Sequence, residues 1–159
     1  MRKTESSSIS AIPDFSYLDG LDVTDKTKEL PLRGISVGGK TPILVVKPAT
    51  KDNPEYWSEM LVQVENQKNK YTSNDAQSVS SKLDDNRETD RVLYPKHVIV
   101  GWKNVVDGSG KPAEFTLGNC KAFINSIPGW LFDRVRDYCA EPSNFAQLTF
   151  EISEDSIKK

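Results

Sequence analysis

The chain has 159 residues, a formal net charge of −2 and an apolar share of only 36%. This length is typical of one domain that folds without metal or disulfide staples. Neither nucleic acid nor a membrane is expected as a partner, because the sequence has no basic stripe and no apolar run near the ~18 residues of a membrane span.

The first 28 residues are rich in Ser, Thr, Asp and Lys and contain few apolar side chains. Such a segment cannot bury enough apolar surface to offset the entropy lost on ordering, so residues 1–28 are predicted to form a flexible arm. The segment also lacks the hydrophobic stretch of a secretory signal. The two cysteines, Cys120 and Cys139, are therefore expected to be reduced thiols in a cytosol.

The first predicted element is a β-hairpin. Alternating apolar and polar residues lead into Gly38-Gly39, and a β-branched run follows, so residues 32–37 are predicted to pair with 42–47. Gly34, Gly39, Lys40 and Thr41 also have the spacing of a phosphate-binding glycine loop. Strand-like sequence fills the gap between the two glycines, which favours the hairpin.

Helical periodicity dominates the rest of the chain. Helices are predicted over 54–70, over 117–126 with Thr116 as the N-cap, and from Trp130 to Cys139, with a short helical turn from Pro142. Between the first two helices, residues 72–81 are predicted to be a linker or weak helix, and residues 82–93 a solvated helix. Residues 97–106 fit both a strand and a helix. We favour the helix, because the apolar stripe continues to Val106 and a charged helix-like segment precedes it.

These elements predict an α+β fold, mainly helical, with one N-terminal β-hairpin and flexible termini. The predicted organisation is a flexible arm over 1–28, a single domain over 29–150 and a frayed tail over 151–159. The Asp-Gly-Ser-Gly sequence at 107–110 is predicted to be a turn between packed elements, because the acidic residues that a calcium loop requires further along are missing.

Catalytic chemistry is not indicated. His97 is the only histidine, and neither cysteine has the spacing of a zinc ligand. The acidic residues between 84 and 90 alternate with Lys and Arg, which is typical of a solvated helix face. We therefore expect no enzyme activity, no metal and no cofactor.

Large aromatic residues are the remaining candidates for function. Tryptophan is enriched at binding hot spots, although it is also common in protein cores. The candidate partner-binding residues are Trp57, Trp102, Trp130 and Phe132. For each of them the alternative is a place in the core.

The region from about 30 to 150 resembles tail assembly chaperones of tailed bacteriophages. The resemblance rests on the order of Leu-Tyr-Pro, Gly-Trp-x-x-Val-x-Asp, a glycine-containing turn, Phe-Thr, and a closing Pro-x-Trp-Leu-Phe-Asp helix. The residues that match this pattern are Trp102, Asp107, Gly110, Phe115, Thr116, Trp130, Leu131 and Phe132. The N-terminal arm lies outside the resemblance.

The resemblance implies a non-enzymatic protein of the host cytoplasm. Such chaperones bind the long tape measure protein and help to recruit tail tube protein, and they are absent from the finished virion. An amphipathic client helix lying in an apolar groove is one physical form of such binding. Self-association into a homo-oligomer stays open, as do two other classes of function: a structural or adaptor protein of the phage tail, and a small inhibitor of a host defence system.

Overall fold

The computed structural model describes residues 12–23, 26–70 and 76–152. Its fold is α+β and mainly helical, as predicted. In chain order the elements are strand β1 (Lys28–Pro31), strand β2 (Ile43–Val46), helix α1 (Pro54–Lys70), helix α2 (Ala76–His97), strand β3 (Ile99–Lys103), helix α3 (Leu117–Ser126) and helix α4 (Gly129–Cys139). Two 3-10 helices flank them, at Ser16–Leu21 and Pro142–Phe145.

The predicted hairpin is present, but its first strand was misplaced. β1 pairs antiparallel with β2 in a register that sets Leu30 opposite Leu44, so the strand ends before the predicted range 32–37 begins. Gly34 has a φ of +89°, a conformation that side chains disfavour, and it ends the extended run. Gly38-Gly39 does form a tight turn, but this turn closes only a bridge between Val37 and Lys40 within the connecting loop.

The predicted helix over 97–106 was wrong. Helix α2 runs through Pro95 to His97, and the next residues form β3, which pairs with β2 to give the sheet order β1-β2-β3. Strand β2 is buried at Leu44 and Val46, so its backbone needs hydrogen-bonding partners on both sides. β3 supplies the second partner, and this long-range demand outweighs the local helical stripe.

The observed helices agree better with the sequence-based predictions than the strands do. α1, α3, α4 and the final turn fall where they were predicted, and the Thr116 hydroxyl accepts a hydrogen bond from the Asn119 amide at 3.0 Å. Residues 76–81, predicted as a linker or weak helix, and the predicted solvated helix over 82–93 form one helix, α2. Residues 72–75 of the predicted segment lie outside the described residues.

The core lies between the sheet and the helices. Its largest fully buried side chains are Tyr94, Phe132, Phe145, Leu44 and Ile124. The Tyr94 ring stands edge-on to Tyr56 of α1 and to Phe132 of α4, with ring centroids 5.7 and 5.3 Å apart. Edge-to-face aromatic pairs add stability beyond burial, so Tyr94 joins three helices at one point.

A polar network connects the same three helices. Asp90 of α2 is only 7% exposed, and it accepts hydrogen bonds from the Tyr56 hydroxyl at 2.8 Å and from Arg136 Nε at 2.7 Å. On the outer side, Arg87 holds Asp133 through two hydrogen bonds, of 3.0 and 2.7 Å. These hydrogen bonds from Arg87 lower the pKa of the Asp133 carboxyl.

The N-terminal and C-terminal segments meet. The 3-10 helix Ser16–Leu21 falls within the predicted arm, and its Tyr17 ring lies edge-on to Phe150 at 5.3 Å. The Gln147 amide also donates to the Gly20 carbonyl at 3.0 Å. The sequence did not predict this contact. Residues 1–11 of the arm and 153–159 of the predicted frayed tail lie outside the described residues.

Candidate functional site

The four candidate partner-binding residues have different environments. Phe132 is 0% exposed and belongs to the core. Trp102 is half-buried, donates its indole N–H to the Ala113 carbonyl at 2.9 Å and packs edge-on against Phe115. Trp57 is half-buried against the core on α1. Only Trp130 is largely exposed, at 59%, so it alone offers most of its ring to a partner.

Trp130 lies at the start of α4, on the helix that forms one wall of an open groove. The groove, with a volume of about 360 Å³, runs between α4 and the edge strand β1. Its lining residues are Glu29, Leu30, Pro31, Leu32, Arg33, Leu131, Arg134, Val135, Asp137 and Tyr138. A volume of this order is within the range of small-ligand sites, and a short segment of a protein can fill it with one or two side chains.

The floor of the groove is apolar. Leu32, Leu131 and Val135 are buried beneath it, and the partly buried Leu30 and Tyr138 complete it. Their arrangement follows from local structure, because Leu131, Val135 and Tyr138 recur on one face of α4 while Leu30 and Leu32 point to one face of the β1 end. An apolar side chain entering this groove would be removed from water on several sides.

Two arginines line the groove, and one of them contacts Trp130. Arg134 lies over the Trp130 ring, with its Cζ atom 5.6 Å from the ring centroid, and donates a hydrogen bond to the Arg33 carbonyl at 3.0 Å. Within the described ranges, neither Arg33 nor Arg134 forms an ion pair with a carboxylate. Unpaired guanidinium groups are good partners for carboxylates, which they bind through two hydrogen bonds.

The groove is also lined by two acidic residues. Asp137 follows Arg134 by three positions on α4, and Glu29 of β1 is paired with Lys103 at 2.5 Å. The groove therefore suits a segment that places a carboxylate near Trp130 and an apolar side chain on the floor. Trp, Tyr and Arg, the residue types most enriched at binding hot spots, all line it or border it.

Sequence reasoning found Trp130 but missed its neighbours. Arg33 and Arg134 are 101 positions apart, and no local pattern joins them. Arg134 could have been found, since it is four residues after Trp130 on a predicted helix, where the two side chains must meet.

The comparisons with known proteins give one match. Residues 52–157, well over half of the chain, match the family model described as YdaY prophage protein. The chain belongs to the YdaY prophage protein family. It is therefore a phage-related protein. No curated protein matches the chain, and no solved structure matches it.

Only one wall of the groove lies within the residues that match the family model. The matched region contains α4 with Trp130, Arg134 and Tyr138, whereas β1 and Arg33 precede it. One wall of the groove thus belongs to the part of the chain that defines the family, and the other wall comes from the N-terminal hairpin.

The histidine and the two cysteines each have a structural setting. His97 Nε2 is 2.9 Å from Glu59 Oε1, and its backbone carbonyl accepts a hydrogen bond from Asn53. Cys120 and Cys139 are fully buried, and burial raises the pKa of both thiols, that of Cys120 to about 12. Both thiols are therefore neutral at physiological pH and lack the thiolate that nucleophilic attack requires.

Asp107, the acidic residue of the predicted turn, also has structural partners. Asp107 accepts hydrogen bonds from the Ser109 hydroxyl at 2.7 Å and the Lys111 amide at 3.0 Å, which closes the predicted turn and lowers the pKa of its carboxyl. Among the residues placed by the structure, no group of three or more His, Cys, Asp or Glu could hold a metal ion. No helix in the described ranges is long and apolar enough to span a membrane.

Proposed function

We propose that this chain is a non-enzymatic tail assembly chaperone of a prophage, acting in the host cytoplasm. In this role it binds the tape measure protein and helps to recruit tail tube protein. Membership of a prophage protein family and the resemblance carried by Trp102, Trp130 and their motif neighbours support the proposal. The observation that carries it is the open apolar groove beside the exposed Trp130.

The groove explains how a chaperone of this kind could hold its client. A long client protein exposes apolar side chains before assembly, and burying them removes surface that would otherwise drive aggregation. The apolar floor accepts such side chains, while Arg33 and Arg134 select segments that also carry a carboxylate. This form of recognition needs neither a catalytic group nor a cofactor.

A Trp130→Ala variant is expected to bind the tape measure protein about 30-fold more weakly, as for a hot-spot tryptophan worth ~2 kcal/mol. The tape measure protein of the same prophage would be co-expressed with this chain, and its soluble fraction and the affinity of the purified complex measured. Leu117→Ala is a matched control, because Leu117 is also exposed on a helix but lies outside the groove. Thermal unfolding of each variant separates weaker binding from loss of fold.

A triple variant, His97→Gln with Cys120→Ala and Cys139→Ala, tests the absence of catalysis. We expect it to keep the client soluble as long as it remains folded. A folded triple variant without activity would contradict the proposal, as would wild-type protein that leaves the tape measure protein insoluble. Mass spectrometry of purified virions distinguishes the chaperone, which is absent from them, from a tail structural protein.

A further inference from the structure

The described C-terminal segment exposes apolar side chains. Residues 147–152 form no helix or strand, and Leu148 and Ile152 are 61% and 51% exposed. In an extended chain, alternate residues point to the same side, so Leu148 and Ile152 can share a side with Phe150. Phe150 is partly covered by Tyr17, whereas Leu148 and Ile152 keep more than half of their surface exposed.

The segment also carries a carboxylate, and two more follow it in the sequence. Glu151 is exposed between Phe150 and Ile152, and the sequence continues with Glu154 and Asp155. Within the described ranges Glu151 forms no ion pair. The segment thus combines the two chemical features that the groove selects, apolar side chains and carboxylates.

We propose that the C-terminal segment of a second copy of this chain binds in the groove between β1 and α4. Leu148 or Ile152 fills the apolar floor, and Glu151 with the acidic residues that follow it pairs with Arg33 and Arg134. Each copy gives its segment to the other, so the contact is reciprocal and closes as a two-fold dimer.

The start of the segment is held in place. The Gln147 amide donates to the Gly20 carbonyl and the Phe150 ring packs against Tyr17, so these two residues lie against the N-terminal 3-10 helix. We expect the segment to bind in the groove through its side chains and not by pairing its backbone with β1. β1 is an edge strand, but Pro31 has no N–H to offer an incoming strand.

The dimer also regulates the groove. If the groove binds a client, as the proposed function holds, then the segment of the second copy competes for the same apolar floor and the same arginines. Client binding then separates the dimer, and removal of the segment strengthens client binding by removing the competitor. This regulation rests on the proposed function, whereas the dimer contact itself does not.

Sedimentation velocity of the full chain over a range of concentrations tests the contact. We expect wild type to be dimeric, and expect the dissociation constant to rise at least tenfold in Arg33→Glu/Arg134→Glu and in Glu151→Arg/Glu154→Arg/Asp155→Arg. The combination of the two variants reverses both charges and should restore the dimer. Lys51→Glu/Lys111→Glu is the matched control, since it makes the same change of charge at exposed residues outside the groove.

Leu148→Asp/Ile152→Asp gives a second route that leaves every groove residue unchanged, and circular dichroism confirms that each variant is folded. A monomeric wild type would overturn the proposal, and so would a dimer that survives both charge-reversal variants. Client solubility is measured separately on the same proteins. If the dimer behaves as expected while no variant binds the tape measure protein, the proposed function fails and the dimer contact stands.

Discussion

Replacing Arg136 with methionine is expected to lower the free energy of unfolding by about 3–5 kcal/mol, the loss typical of a buried charge deprived of its partner. Asp90 is almost fully buried and accepts hydrogen bonds from only Arg136 and the Tyr56 hydroxyl among the residues described. Without the guanidinium, the carboxylate is left in the core with one neutral donor. A loss of this size is a large part of the total stability of a small domain.

Two further variants make the Arg136 prediction specific. Asp90→Asn/Arg136→Met removes the unpaired charge and keeps an acceptor for Tyr56, so it should recover part of the loss. Lys68→Met breaks the exposed pair between Lys68 and Glu65 and should change stability by no more than about 0.5 kcal/mol. Urea unfolding measures all three. An Arg136→Met protein as stable as wild type would show that Asp90 is not held in the core as described.

Replacing Phe132 with alanine is expected to destabilise the protein by about 3–5 kcal/mol, through lost burial and the cavity left behind. The Phe132 ring contacts Tyr94 edge-on, and the Arg91 guanidinium lies 5.1 Å from its centroid. Trp130→Ala, two positions earlier on α4, removes a larger but mostly exposed ring. It should change stability by less than about 1 kcal/mol.

This pair of variants separates a core residue from a surface residue within one motif. Phe132→Ala should weaken client binding only in proportion to its unfolded fraction, whereas Trp130→Ala should weaken binding in a fully folded protein. Thermal unfolding and client affinity are measured on the same samples. Equal losses of stability in the two variants would contradict the placement of Trp130 at the surface.

The sequence predicted the parts of the fold that local interactions decide. α3 begins at a Thr116 cap, and α4 follows the Pro128-Gly129 break, so capping and turn chemistry set their limits. Strand pairing was predicted less well. The position of β1 depends on where Leu30 meets Leu44, and the choice of strand over helix at β3 depends on β2, more than 50 residues away. The local periodicity of the sequence gives no information on either of these long-range pairings.

For the candidate site, too, the sequence predicted what residue type and local structure decide, and not what depends on long-range contacts. An aromatic hot spot on α4 could be inferred from residue type, and Trp130 is exposed as such a residue must be. The groove could not be inferred, because its second wall comes from the β1 end. Which of Trp130 and Phe132 faces solvent depends on how α4 packs on Tyr94, a contact that only the tertiary structure defines.

The proposed function requires the client to bind in the groove between β1 and α4. Hydrogen–deuterium exchange of the chain, alone and with the tape measure protein bound, shows which residues the client covers. We expect slower amide exchange upon binding in residues 29–33 and 130–138, with little change in the loop at 107–111. Protection confined to α1 and α2, with both walls of the groove exchanging as in the free protein, would contradict it.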